Sequence, residues 1–205
     1  DSVASRGLGD VYKRQLLGQP LVVLSNNDGC VISRSAEARA LGIPMGAPWF
    51  QVRHQLERQR VIVRSSNYSL YADMSQRLMA SLEPWLEELE IYSIDEAFGR
   101  LTRPPAGGAG GGDLSAWGQA LRRQLRRHLG LSVAVGIAST KVLAKAANRI
   151  AKRHPQYRAS GVFDLGAAAD PDPWLEAIAI EEVWGIGRRL SRWCRLRGIA
   201  TARDL

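Results

Sequence analysis

Apolar positions fall first into short strand-like runs. Leu21-Val22-Val23-Leu24 reads as a buried strand, and Asn26-Asn27-Asp28-Gly29 is turn chemistry leading into a second, Cys30-Val31-Ile32. Ser35 suits the N-cap of a short helix, Ala36 to Leu41, with Gly42 placed to end it. Gly46-Ala47-Pro48-Trp49-Phe50 opens another short helix, and Val61-Ile62-Val63 is a third strand. Together these predict a small α/β unit from Leu16 to Ser66.

The period then lengthens. Leu70, Met74, Leu78, Leu82 and Leu86 recur every four residues, which predicts a helix over Tyr68 to Glu90. An apolar run follows, Ile91-Tyr92-Ser93-Ile94-Asp95-Glu96-Ala97-Phe98, read as a strand with two adjacent carboxylates in it. Pro104-Pro105 and the glycines to Gly112 predict a flexible surface loop. Asp113 caps a helix whose apolar face is Leu114, Trp117, Leu121, Leu125 and Leu129, with Arg122, Arg123, Arg126 and Arg127 on the other face. Leu131 to Ile137 reads as a strand, and Ser139 or Thr140 starts a helix carrying Lys141, Lys145, Arg149 and Lys152 on one stripe. Asp170-Pro171-Asp172-Pro173 marks a boundary. Beyond it Val183-Trp184-Gly185-Ile186-Gly187 and Arg188-Arg189 open a helix to Arg197, with Gly198 at its C-cap. Thr201 to Leu205 looks like a helix start without its body, and Asp1 to Gln15 shows no periodicity, so the sequence reads as part of a longer protein.

Charge sharpens this outline. The formal net charge of the 205 residues is +8, and between Leu114 and Phe163 there are ten Lys or Arg and no Asp or Glu. Unrelieved charge of one sign repels itself, which favours a polyanion-facing surface over a merely solvated helix pair. The Gly-x-Gly turn adds backbone N–H groups and a helix dipole that suit a phosphate, with two arginines beside it. Cys30 and Cys194 lie too far apart in sequence to suggest a disulfide framework or a metal-site spacing. No apolar run approaches the ~18 residues of a membrane span. A reducing, cytoplasmic compartment is the expectation.

Asp95 and Glu96 carry the candidate chemistry. Neighbouring carboxylates in an apolar run repel each other unless they share a cation. On a regular strand they point to opposite faces, so both reach one ion only at a strand end or hairpin turn. A solvated turn is the plainer reading of the pair taken alone. Flanking strands, a basic stripe and a phosphate-gripping turn favour Mg²⁺ and nucleotidyl transfer.

Ser93-Ile94-Asp95-Glu96-Ala97-Phe98 resembles the catalytic motif of Y-family, translesion DNA polymerases. Val22 to Ile32, Met45 to Phe50, Ser66 to Ser75 and Val183 to Arg189 resemble the UmuC-like subgroup, the catalytic subunits of bacterial DNA polymerase V. The resemblance implies an α/β fold of the right-hand polymerase type, with an α+β palm. It would divide the chain into fingers at 16–66, an incomplete palm at 67–165 and a partial helix–hairpin–helix thumb at 166–205. It implies that Asp95 and Glu96 are catalytic and ligate Mg²⁺ in a two-ion site. Arg39 and Lys152 would reach the incoming triphosphate. Gly185, Gly187 and the Arg188-Arg189 that follow would hold a DNA backbone, with Lys141 and Lys145 of the basic stripe on the same partner. Primer–template DNA and deoxynucleoside triphosphates are the implied substrates, in translesion synthesis during the SOS response. A UmuD-type accessory subunit and a recombinase filament are the implied partners.

Residues 1–15 depart from the family's pattern, whose first palm strand carries another metal-binding Asp, and neither Asp10 nor Tyr12 takes over a role there. Arg100 stands where an acidic or neutral residue is expected. A lost ligand predicts that the 205-residue chain alone does not extend a primer. The alternative reading is a non-catalytic helix–hairpin–helix DNA-binding module, distinguished by Mg²⁺-dependent nucleotide incorporation.

Overall fold

The structure is a computed structural model, and residues 16, 18–102 and 112–205 are described. The chain divides into two compact units, one up to Arg100 together with Leu125–Ser132, the other Leu101–Gln124 together with Val133–Leu205.

In the first unit, β1 (Leu21–Leu24) pairs antiparallel with β2 (Val31–Arg34) and parallel with β3 (Ile62–Ser65), giving the order β2-β1-β3. The β1–β2 turn is stabilised by Ser25, whose hydroxyl accepts from the Gly29 and Cys30 amides at 3.1 and 3.2 Å. Helix α1 (Ala36–Ala40) begins on Ser35, whose hydroxyl accepts from the Ala38 amide, and Gly42 at φ 75° follows its end. Helix α2 is Trp49–Arg58. Val22, Leu24, Val31, Ala38, Ile43, Val52 and Leu56 form one buried cluster, so this segment has a core of its own.

Helix α3 (Tyr68–Leu82) is capped by the Asn67 side chain and buries Met74, Leu78 and Met79. It is shorter than the four-residue repeat predicts. Pro84 has no N–H to continue the ladder, so the chain tightens into a 3₁₀ turn at Glu83–Trp85 and leaves extended at Leu86. The stretch expected to finish the helix is instead β4 (Glu88–Ile91), paired antiparallel with β5 (Ala97–Arg100). Glu88 lies opposite Arg100 and the two side chains form an ion pair, which accounts for an arginine at that position.

Helix α4 (Leu114–Leu129) buries Trp117, Leu121 and Leu125, as its apolar repeat predicts. The expected strand at Leu131–Ile137 is confined to β6 (Val135–Ile137), which pairs parallel with β7 (Val162–Asp164). Helix α5 (Lys141–Arg153) starts on Thr140, whose hydroxyl accepts from the Leu143 amide at 3.3 Å. It crosses β6 at backbone distance: a Cβ on Gly136 would lie 2.1 Å from the Asn148 nitrogen and 2.4 Å from the Ala144 oxygen. Asn148 secures the crossing by donating to the Ala134 carbonyl at 2.7 Å. Ala147, Ile150 and Ala151 of α5 join Phe163, Leu165 and Ile178 in the core of this unit.

Two short helices, α6 (Pro155–Arg158) and α7 (Asp172–Glu176), lead to a 3₁₀ turn at Ile180–Glu182 and to α8 (Arg188–Arg195). Gly198 at φ 78° follows α8, and Thr201 and Asp204 then cap reciprocally. The Asp204 carboxylate takes the Ala200 and Thr201 amides, which hold its pKa below the usual carboxylate value. Among the described residues no helix is long and apolar enough to cross a membrane.

Candidate active site and phosphate-facing elements

Asp95 and Glu96 lie on the loop of the β4–β5 hairpin rather than in a strand. The amides of Tyr92 and Ser93 both donate to the Glu96 carbonyl, at 3.1 and 3.0 Å, closing a five-residue loop. That geometry lifts the strand rule that would send successive side chains to opposite faces. The Ser93 hydroxyl donates to Asp95 Oδ1 at 2.9 Å, fixing one carboxylate oxygen. Both carboxylates are half-buried, and Tyr92 packs edge-on against Phe98 with ring centroids 5.7 Å apart. Ser93 was not singled out in the sequence.

The donor set is hard oxygen, which suits Mg²⁺ held by one or two carboxylates with water and phosphate completing its shell. Among the described residues no group of three or more His, Cys, Asp or Glu side chains comes together. In the same unit, exposed Arg39 sits in the last turn of α1, placed by the Ser35 cap.

The second unit carries the basic candidates. Lys141, Lys145 and Lys152 all project from α5, and the Lys145 ammonium lies 6.0 Å from the Trp184 ring centroid. Two arginines expected to face a polyanion are instead spent internally. Arg122 donates to the Val133 carbonyl at 2.6 Å and covers Gly161, and burial lowers its pKa. Arg149 pairs with Glu182, and its pKa is lowered by burial and then by Arg153. Arg126, in the first unit, donates to the Gly130 carbonyl at 2.8 Å. Sequence gives the side of a helix; it does not give the carbonyl or carboxylate that waits there.

Gly185, at φ 92°, makes the turn that only glycine enters readily. Gly187 is different. It caps α8 at φ −83°, a conformation open to any residue, and a Cβ there would meet no atom within 4 Å. The fold therefore does not require glycine at 187, and its absent side chain leaves the amides opening α8 approachable by a phosphate. Arg188 and Arg189 are exposed beside them.

This mixed α/β architecture is that of solved DNA polymerases. It matches the crystal structure of DinB from Sulfolobus solfataricus with a TM-score of 0.76 and 27% identity, over 99% of this chain and 57% of that one. The insertion ternary complex of Dbh DNA polymerase matches with a TM-score of 0.76 and 26% identity, over 96% of this chain and 56% of that one. The family model described as the impB/mucB/samB family matches residues 8–149, and the chain belongs to that family. Protein UmuC of Salmonella typhimurium is 48% identical over 195 residues, 95% of this chain and 45% of that protein. The chain thus spans about half the length of the relatives it matches.

Proposed function

We propose that the protein, at the length of its relatives, is a template-directed DNA polymerase that inserts deoxynucleotides opposite damaged bases in SOS-type repair. The observation that carries this reading is the pair of consecutive carboxylates on a hairpin loop, in a chain of this family and fold.

Asp95 and Glu96 hold Mg²⁺ in this reading, and Ser93 keeps one Asp95 oxygen oriented. Bound there, the ion would supply charge stabilisation for nucleotidyl transfer, in which the primer 3′ oxygen displaces pyrophosphate from the α-phosphorus of a deoxynucleoside triphosphate. Arg39 offers a planar fork for the triphosphate, and Lys152 offers a compact charge for the same group. Lys141, Lys145, Arg188, Arg189 and the amides at Gly185 and Gly187 hold the DNA backbone. Residues 16–66 act as fingers, 67–165 as palm and 166–205 as the start of a thumb. A UmuD-type accessory subunit and a recombinase filament are the proposed partners, in the bacterial cytoplasm.

Incorporation of a labelled deoxynucleotide at a primer terminus, with and without Mg²⁺, tests the proposal. Extension that needs both Mg²⁺ and a template supports it. DNA binding without incorporation at any Mg²⁺ concentration would leave a non-catalytic binding module instead. The 205-residue chain alone is expected to bind DNA without extending it.

A further inference from the structure

Glu181 and Glu182 are neighbours in the 3₁₀ turn that opens the hairpin, and each carboxylate reaches a different helix. Glu181 accepts from Arg195 of α8 at 2.5 Å, which closes the hairpin on itself. Glu182 pairs with Arg149 of α5, with Arg153 at 3.6 Å. The two pairs differ in solvent access. Arg195 and Glu181 are 49% and 48% exposed, whereas Arg149 and Glu182 are 24% and 33% exposed. Val183, the next residue, packs into the same core as Leu143, Ala146 and Ile150 of α5. Trp184 then lies beside Lys145. Three successive residues of the hairpin entrance are therefore seated on one helix.

A carboxylate has the wrong sign for a surface that meets a polyanion, so its presence here calls for another role. We infer that Glu182 is a positioning residue for nucleic-acid binding. It ties the Gly185–Gly187 hairpin to α5, so that Lys145 and the amides opening α8 meet one sugar–phosphate backbone as a single preformed surface. The inference rests on the DNA-binding part of the reading above, and goes beyond it by assigning a task to an acidic residue.

The sign of one substitution separates positioning from simple charge. Glu182→Gln removes a negative charge, which by electrostatics alone tightens binding to DNA. Positioning predicts the reverse: roughly fivefold weaker binding of the full chain to a primer–template duplex, the size of a coupling between groups in contact. Fluorescence anisotropy over a salt series reads this directly. The salt dependence should become shallower by about one phosphate contact as the hairpin loses its register. Arg149→Lys keeps the charge but loses the forked guanidinium, and should weaken binding in the same direction. In a Lys145→Ala background, Glu182→Gln should weaken binding less than it does in the wild type, because one of the two contacts it aligns is already gone. Circular dichroism confirms folding, and Arg149→Lys carries the test if Glu182→Gln does not fold. Wild-type binding that ignores salt would sink the DNA-binding reading itself. Salt-dependent wild-type binding with unchanged or tighter binding by the folded variants would overturn the role of Glu182 alone.

Discussion

In the hairpin from Glu88 to Arg100 no residue is fully withdrawn from solvent, and Ile91, Tyr92 and Ile94 remain 60%, 49% and 47% exposed. In helix Lys141–Arg153, Ala147, Ile150 and Ala151 are buried, the backbone lies directly against a strand, and Arg149 and Arg153 both pair with Glu182. The first region carries the carboxylates; the second carries the lysines. Local hydrogen bonds shape the hairpin, whereas a shared core fixes the helix. In the proposed reading, the loop that would accept an ion and a reacting phosphate is shaped by short-range bonds, while the surface that would track a regular backbone is anchored in a core.

Two glycine substitutions sharpen the contrast. Gly136→Ala places a methyl against backbone atoms of α5 that cannot turn aside, and is expected to cost about 3 kcal/mol, the upper end for overpacking. Gly99→Ala meets the Leu86 side chain at 2.3 Å, a flexible group that can change rotamer, and is expected to cost about 1 kcal/mol. Denaturant unfolding measures both. Equal losses would dissolve the distinction between the two regions.

Ser93→Ala comes next and probes the hairpin. Losing the 2.9 Å bond to Asp95 should weaken apparent Mg²⁺ affinity about tenfold, at the lower end for groups that orient metal ligands. Titration of Mg²⁺ against incorporation, together with Mn²⁺ binding followed by electron paramagnetic resonance, reads it. Recovery by Ser93→Thr would separate orientation from packing.

The smallest effect is acid sensitivity. The Arg195 hydrogen bond lowers the Glu181 pKa, and the Ala200 amide leads the causes that lower that of Asp204. A depressed carboxylate stabilises the folded state above its unfolded pKa of about 4, and that contribution is lost as pH falls through the lower folded value. The protection factors of the Ala200 and Thr201 amides should therefore fall in that acid window while those within α5 do not. A uniform fall in protection would mean that this segment and α5 unfold together.

The caps at Ser35, Asn67 and Thr140 show how the sequence can announce an element through its own chemistry. Ser35 was legible, and the cap of α5 was narrowed to Ser139 or Thr140, because a cap needs only its immediate neighbours. Pro84 was equally legible as a breaker, yet the apolar repeat running through it suggested a longer helix. The carboxylate pair was visible, and its need for a hairpin turn followed from strand geometry. The Ser93 bond was not foreseen. Arg122 and Arg149 were misjudged because their partners, a carbonyl and a carboxylate, lie 11 and 33 residues further along the chain. Gly136 sat unnoticed in an apolar run, since nothing local signals that a helix will cross there.

Asp95 and Glu96 are proposed as the metal-binding part of a nucleotidyl-transfer site. Primer extension by the protein at the length of its relatives, comparing wild type with Asp95→Asn/Glu96→Gln, tests this role most directly. The expected result is at least a 100-fold loss of extension, the scale for removing a group that stabilises transition-state charge, with DNA binding retained. Extension within a few-fold of wild type by the folded variant would contradict it.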